Sequence, residues 1–189
     1  MVMLALFIIS GSFLLPNDGV EIEIWHQPNL SGKYFVDIDT NLNIPLLGKL
    51  SVKDIALDSL QKYLIDEFHK YYGEIFLTIT FYYRIGVFGE VKMPGNYYIK
   101  SSENLTNLLA QAGGPTDAGN LRRIRILNLG SERIVNFEKT LKEGKRIEEL
   151  NLKPGDIVIV PRRFMPVLQE WSVILTLGTF LLQLYTAVK

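Results

Sequence analysis

Asp37 and Asp39, one residue apart, could hold a cation between paired carboxylates. His26 and His69 could bring imidazole to a metal or move a proton near neutral pH. Neither constellation is completed by its surroundings. The sequence around Asp37 lacks the other ligands of a calcium loop, so a pair flanking a turn is the simpler reading. The histidines fall on different elements, and no cluster has metal-ligand spacing. The chain has no cysteine, which removes thiol catalysis, disulfides and acylation on cysteine together. Arg122, Arg123 and Arg125 lie in a strand-like run; a solvated face is the plain reading, contact with an anionic polymer the sharper one. Gly86-Val87-Phe88-Gly89 matches the GXXG of an RNA-binding loop, but its apolar centre belongs to a strand. No enzymatic activity and no cofactor are expected.

The polar groups with the firmest spacing are at the C-terminal end. Gln169, Ser172, Thr176, Thr179, Gln183 and Thr186 follow one another at steps of three and four, one continuous stripe on a helix. Most other residues from Gln169 to Lys189 are aliphatic or Phe, so such a helix has one greasy and one wet neighbour. From Val167 to Val188 it would span about 33 Å, enough for the ~30 Å hydrocarbon core. Trp171 and Tyr185 stand near its ends, where a membrane-interface belt places aromatics. Uncharged hydroxyls and amides bond passing water and sugar without trapping them. The stripe is expected to line a pore made by a ring of such helices. The alternative is a plain anchor, with Ser, Thr and Gly178 serving close helix packing. Arg162 and Arg163 flank the helix on the domain side, a positive-inside signal that an outer-membrane helix barrel need not obey.

The elements before the helix must position it. At 189 residues the chain accommodates one ordinary domain, or two small ones plus a membrane segment. Twenty basic residues balance twenty acidic ones, so the basic field of a nucleic-acid binder is missing. Val2 to Leu15 is uncharged and about 21 Å long as a helix, which reads as a secretory apolar region followed by small residues. Alternation predicts strands at Val20–Trp25 and Tyr34–Ile38, with a turn and an apolar edge strand over Asn41–Lys49. Leu57, Leu60, Leu64 and Phe68 recur at helical spacing within Asp54–Tyr72, and Gly73 closes that helix.

Ile75–Tyr83 reads as a strand running almost directly into a second, Ile85–Val91. A tight turn follows, Pro94 pre-setting one dihedral and Gly95 free to take a positive one, before a returning strand at Tyr97–Ile99. Asn104 can cap a helix over Leu105–Ala112, which Gly113 and Gly114 terminate. Strands are predicted at Arg123–Leu127, Ile134–Phe137 and Ile157–Val160, with Lys139–Glu149 as a charged surface segment. One short helix crossing a small mixed sheet is a β-grasp arrangement.

Two ordered motif series are then in hand. Asp18 to Trp25, Leu30-Ser31-Gly32 and Ile44-Pro45-Leu46-Leu47-Gly48 resemble the N-terminal domain of bacterial polysaccharide export proteins of the Wza type. Gly89-Glu90-Val91 with Pro94-Gly95, then Ala112-Gly113-Gly114, Pro154-Gly155-Asp156 and Val160-Pro161, resemble the soluble-ligand-binding β-grasp domain that follows it in that family. The resemblance implies an α+β fold: a small polysaccharide-export domain (16–83), one β-grasp domain (84–163) and a C-terminal transmembrane helix (164–189), after a signal-like segment (1–15). It implies a homo-oligomeric ring in the bacterial cell envelope, the domains in the periplasm and the helices in the outer membrane. A polysaccharide would be the cargo and an inner-membrane polysaccharide co-polymerase the partner. The motif glycines, with Gly89, read first as backbone necessities. Glu90, the polar member of its motif, is a candidate for a carbohydrate or intersubunit hydrogen bond. The competing reading is a periplasmic carbohydrate-binding module with a simple helical anchor.

Overall fold

The computed structural model describes residues 12–143 and 150–163, together with Thr176, Leu177 and Thr179. Alternating apolar residues build the first strands, β1 (Gly19–Ile24) and β2 (Gly32–Phe35), with Val20, Ile22 and Ile24 buried. A separate hairpin, β3 (Asn41–Ile44) and β4 (Gly48–Ser51), replaces the expected edge strand, and Pro45 sits in its turn. Helix α1 (Leu57–Tyr72) buries Leu60, Leu64 and Phe68, exposes Asp58, Lys62, Asp66 and Lys70, and ends at Gly73 with φ 70°. The stripe spacing required that division of faces.

The two strands expected over Ile75–Val91 are one. Strand β5 (Leu77–Gly89) is thirteen residues long and crosses the boundary drawn between the two small domains. It is followed by β6 (Gly95–Lys100), α2 (Leu105–Gln111), β7 (Ile124–Asn128), β8 (Ser131–Val135), α3 (Phe137–Glu143) and β9 (Ile157–Val160). Asn104 caps α2 through a reciprocal box with Asn107. The strand expected to run through Phe137 stops at Val135. Asn136 instead caps α3, its Oδ1 accepting from the Lys139 N–H at 3.0 Å, while Phe137 is buried. The charged segment is therefore helix as far as Glu143, and residues 144–149 lie outside the described residues.

All strands but β3 and β4 form a seven-stranded sheet in the order β2-β1-β5-β9-β7-β8, with β6 on β5. Tyr82 pairs with both Gly19 and Lys100, and Gly86 with both Asn96 and Ile157. Strands β1 and β9 therefore share one edge of β5, end to end, opposite β6. Helix α1 packs on β5 and α2 on β6, and one hydrophobic cluster runs from Leu14 to Val160. The two halves share a core.

The end of the apolar N-terminal segment packs into the fold. Leu14 is 2 % exposed, Phe13 bridges Ala56, and the Leu57 N–H donates to the Ser12 carbonyl at 3.1 Å. A boundary at residue 15 falls inside the fold, because these residues close the core over α1. Residues 1–11 lie outside the described residues.

Candidate functional site at the domain junction

Between Gly19, where β1 starts, and Ile157, where β9 starts, the middle of β5 has no strand beside it on that edge among the described residues. The Asp18 carboxylate fills the gap. Its oxygens accept from the Arg84 N–H and the Leu15 N–H, each at 2.8 Å, while the residue is 1 % exposed. An unpaired buried N–H in mid-strand would be costly, so this side chain stands in for a strand. On the β9 side, Asp156 is 2 % exposed and accepts from Asn128 Nδ2 at 2.6 Å, Arg133 at 3.1 Å and the Lys153 N–H at 2.9 Å. A cavity of about 380 Å³ opens above the two acids, with Arg84, Phe88 and Asn96 at its rim.

Burial pushes the Asp18 carboxyl up from 3.8 to about 6, against the pull of its two N–H donors and the Arg84 charge. The folded chain therefore holds this proton more tightly than the unfolded chain. Its stabilising contribution is full below pH 3.8, declines as the pH rises and is gone above about 6. A displacement of that size corresponds to about 3 kcal/mol. The difference in unfolding free energy between the parent and Asp18→Asn is expected to fall across that window; a flat difference would contradict the assignment. Comparing the two chains isolates Asp18 from Glu21, Asp37, Glu132 and Glu138, whose lowered carboxyls act in the opposite sense.

Of the β-grasp motif residues, Gly155 and Asp156 line this cavity. Gly89 ends β5 at φ 86°, and the Glu90 N–H donates to the Val160 carbonyl at 2.8 Å. The Glu90 carboxylate accepts from the Thr116 hydroxyl at 2.6 Å, so this candidate for an external bond already has an internal partner. Gly113, Gly114 and Gly155 have φ of 74°, 82° and 75°. Gly95 does not take the expected positive φ, because it opens β6 opposite Val87 instead of closing the turn. Pro94 is exposed in that turn, whose Met93 carbonyl accepts from the Tyr97 hydroxyl.

A family model described as polysaccharide biosynthesis/export protein matches residues 11–81, and one described as SLBB domain matches residues 83–160. The chain belongs to the polysaccharide export family. The boundary between the export domain and the SLBB domain falls on β5, so one strand serves both. The hydrogen bond from Arg84 to Asp18 crosses from one domain to the other.

The remaining sequence candidates fall elsewhere. Asp37 accepts from the Asp39 and Asn41 N–H groups at 2.9 and 2.8 Å, closing a turn. The His69 ring lies 3.2 Å from the Ile75 carbonyl, and His26 packs edge-on against Trp25. Among the described residues no group of three or more acids or histidines could hold a metal. Arg122 pairs with Glu138 at 2.8 Å and Arg125 with Glu132 at 2.6 Å. Of the polar stripe, Thr176 and Thr179 are helical and exposed, and the Thr179 hydroxyl donates to the Thr176 carbonyl at 2.9 Å. Gln169, Ser172, Gln183, Thr186, Trp171 and Tyr185 lie outside the described residues, as does most of the expected span. Among the described residues no helix is long and apolar enough to cross a membrane.

Sequence reading missed Asp18 and Arg84 as a pair. It also missed the run Tyr82-x-Arg84-x-Gly86-x-Phe88 on one face of β5, where period-two spacing was the available signal.

Proposed function

We propose that the chain is a ring-forming subunit of an envelope channel that exports capsular or exopolysaccharide by passive conduction. The tandem match to an export domain and an SLBB domain carries this reading. The seven-stranded sheet that spans both halves and the shared core support it, since a ring subunit must transmit side-to-side contacts without flexing between its halves. Among the described residues, strands β2 and β8 end the strand order of the sheet, and their outer backbone groups would be available to neighbouring copies. The domains would occupy the periplasm, an inner-membrane polysaccharide co-polymerase would deliver the polymer, and the C-terminal helices would form the exit through the outer membrane.

Single cysteines report directly on that exit. In the full-length chain in membranes, Ser172→Cys, Thr176→Cys, Thr179→Cys and Gln183→Cys should react with a water-soluble thiol reagent. Leu175→Cys and Leu182→Cys should stay unreactive. Uniform reactivity around the helix, or none anywhere, would favour a binding module on a plain anchor.

A further inference from the structure

We propose that the open face of the sheet is a platform for an acidic polysaccharide, on which aromatic rings stack against pyranose units while Arg84 and Lys100 pair with uronate carboxylates. The register fixes the face. Phe35, Gly19, Tyr82 and Lys100 stand in one row across β2, β1, β5 and β6; Arg84 and Tyr98 form the next pair, Gly86 and Asn96 the next. Helices α1 and α2 cover the other face, so these side chains meet solvent.

Two glycines give the face its relief. Beside Gly19 a hollow of about 170 Å³ is lined by Lys33, Phe35, Tyr82 and Tyr98. Beside Gly86, under the Phe88 ring, lies the junction cavity. A Cβ on Gly19 would meet the Phe35 ring at 3.3 Å, and one on Gly86 the Phe88 ring at 2.9 Å. The two hollows are four residues apart along β5, about 13 Å. That is longer than one sugar ring and suits a chain.

The lining has the chemistry of sugar recognition: exposed rings with a few hydrogen-bonding groups between them. Phe35, Phe88 and Tyr98 remain 52 %, 44 % and 41 % exposed, and Phe35 and Tyr98 lie 5.3 Å apart. Charge favours an acidic chain. Lys33 is committed to Glu21 at 3.3 Å, and that carboxylate also accepts from the Tyr82 hydroxyl at 2.6 Å within range of the Lys100 charge, so Arg84 is the cation farther along the face. The side chains of Arg84, Asn96 and Lys100 have no hydrogen-bond or ion-pair partner among the described residues. Asp18 and Asp156 lie beneath the surface with their oxygens occupied. An unpaired guanidinium suits a carboxylate's two oxygens.

The proposal rests on the export reading, and its test separates the two. The purified full-length protein in detergent is titrated calorimetrically with hyaluronan and galacturonate oligosaccharides, and with neutral dextran oligosaccharides. Binding of an acidic probe is expected, weakened about ten-fold by Phe88→Ala or Tyr98→Ala. Arg84→Ala and Lys100→Ala should weaken the acidic probes and spare dextran. These side chains are exposed, so each variant should keep the parent's melting temperature; Lys100→Ala, at the exposed end of its row, keeps the test valid if Phe88→Ala unfolds. No binding of either acidic probe, dextran binding alone, or affinity unchanged in all four variants would overturn the platform. Loss of surface polymer on deleting the chain from its cells tests the export reading independently.

Discussion

Gly89→Ala is expected to lower the unfolding free energy by on the order of 4 kcal/mol, through backbone strain and overpacking together. Gly89 has φ 86°, a conformation that side chains rarely adopt. An added Cβ would stand 2.2 Å from the Val160 carbonyl oxygen and 3.0 Å from its carbon. That carbonyl cannot step aside cheaply. It accepts from the Glu90 N–H at 2.8 Å and belongs to β9, which is held between β5 and β7. The β5–β9 contact must separate, or the Glu90 N–H must give up its bond to Val160. Denaturant unfolding should show the midpoint falling sharply at unchanged slope. A change below about 1 kcal/mol would mean that the close approach is not structural.

Asp156→Ala should cost about 3 kcal/mol, the range for breaking a buried charged network from one side. The carboxylate accepts from three donors on different parts of the SLBB domain. Asn128 belongs to β7, Arg133 to β8, and the Lys153 N–H to the turn before β9. Asn128 also donates to the Pro154 carbonyl at 2.9 Å, so one cluster fixes the turn and the two strands beside it. Alanine leaves the Lys153 N–H without its acceptor and the Asn128 amide with the Pro154 carbonyl alone. Asp156→Asn should cost less, since it keeps the volume and one acceptor oxygen. Equal stability of the alanine variant and the parent would show that the network is dispensable.

Local structure was legible where local physics decides it. Leu60, Leu64 and Phe68 announce their helix face at three- and four-residue spacing, and Asn104 announces its cap. Strand β9 begins and ends where its apolar run does. Helix α3 was missed because Phe137 and Thr140 alone mark its buried side, in a segment otherwise rich in charge. The junction was missed for a different reason. Asp18 and Arg84 are 66 residues apart, and neither has a local signal that its partner exists. The same holds for the open face: Gly19 looks like a turn residue until pairing sets it between Phe35 and Tyr82. Tandem motifs identified the family, while the continuity of β5 emerged only from pairing. Two matched domains that share a strand and a core are expected to unfold together, and this is why changes at Gly89 and Asp156 should act on the whole chain.

The export account stands or falls on assembly. Full-length protein extracted in detergent at native expression should appear in particle images as closed rings of identical subunits around a central opening. A stable, monodisperse monomer under the same conditions would contradict it.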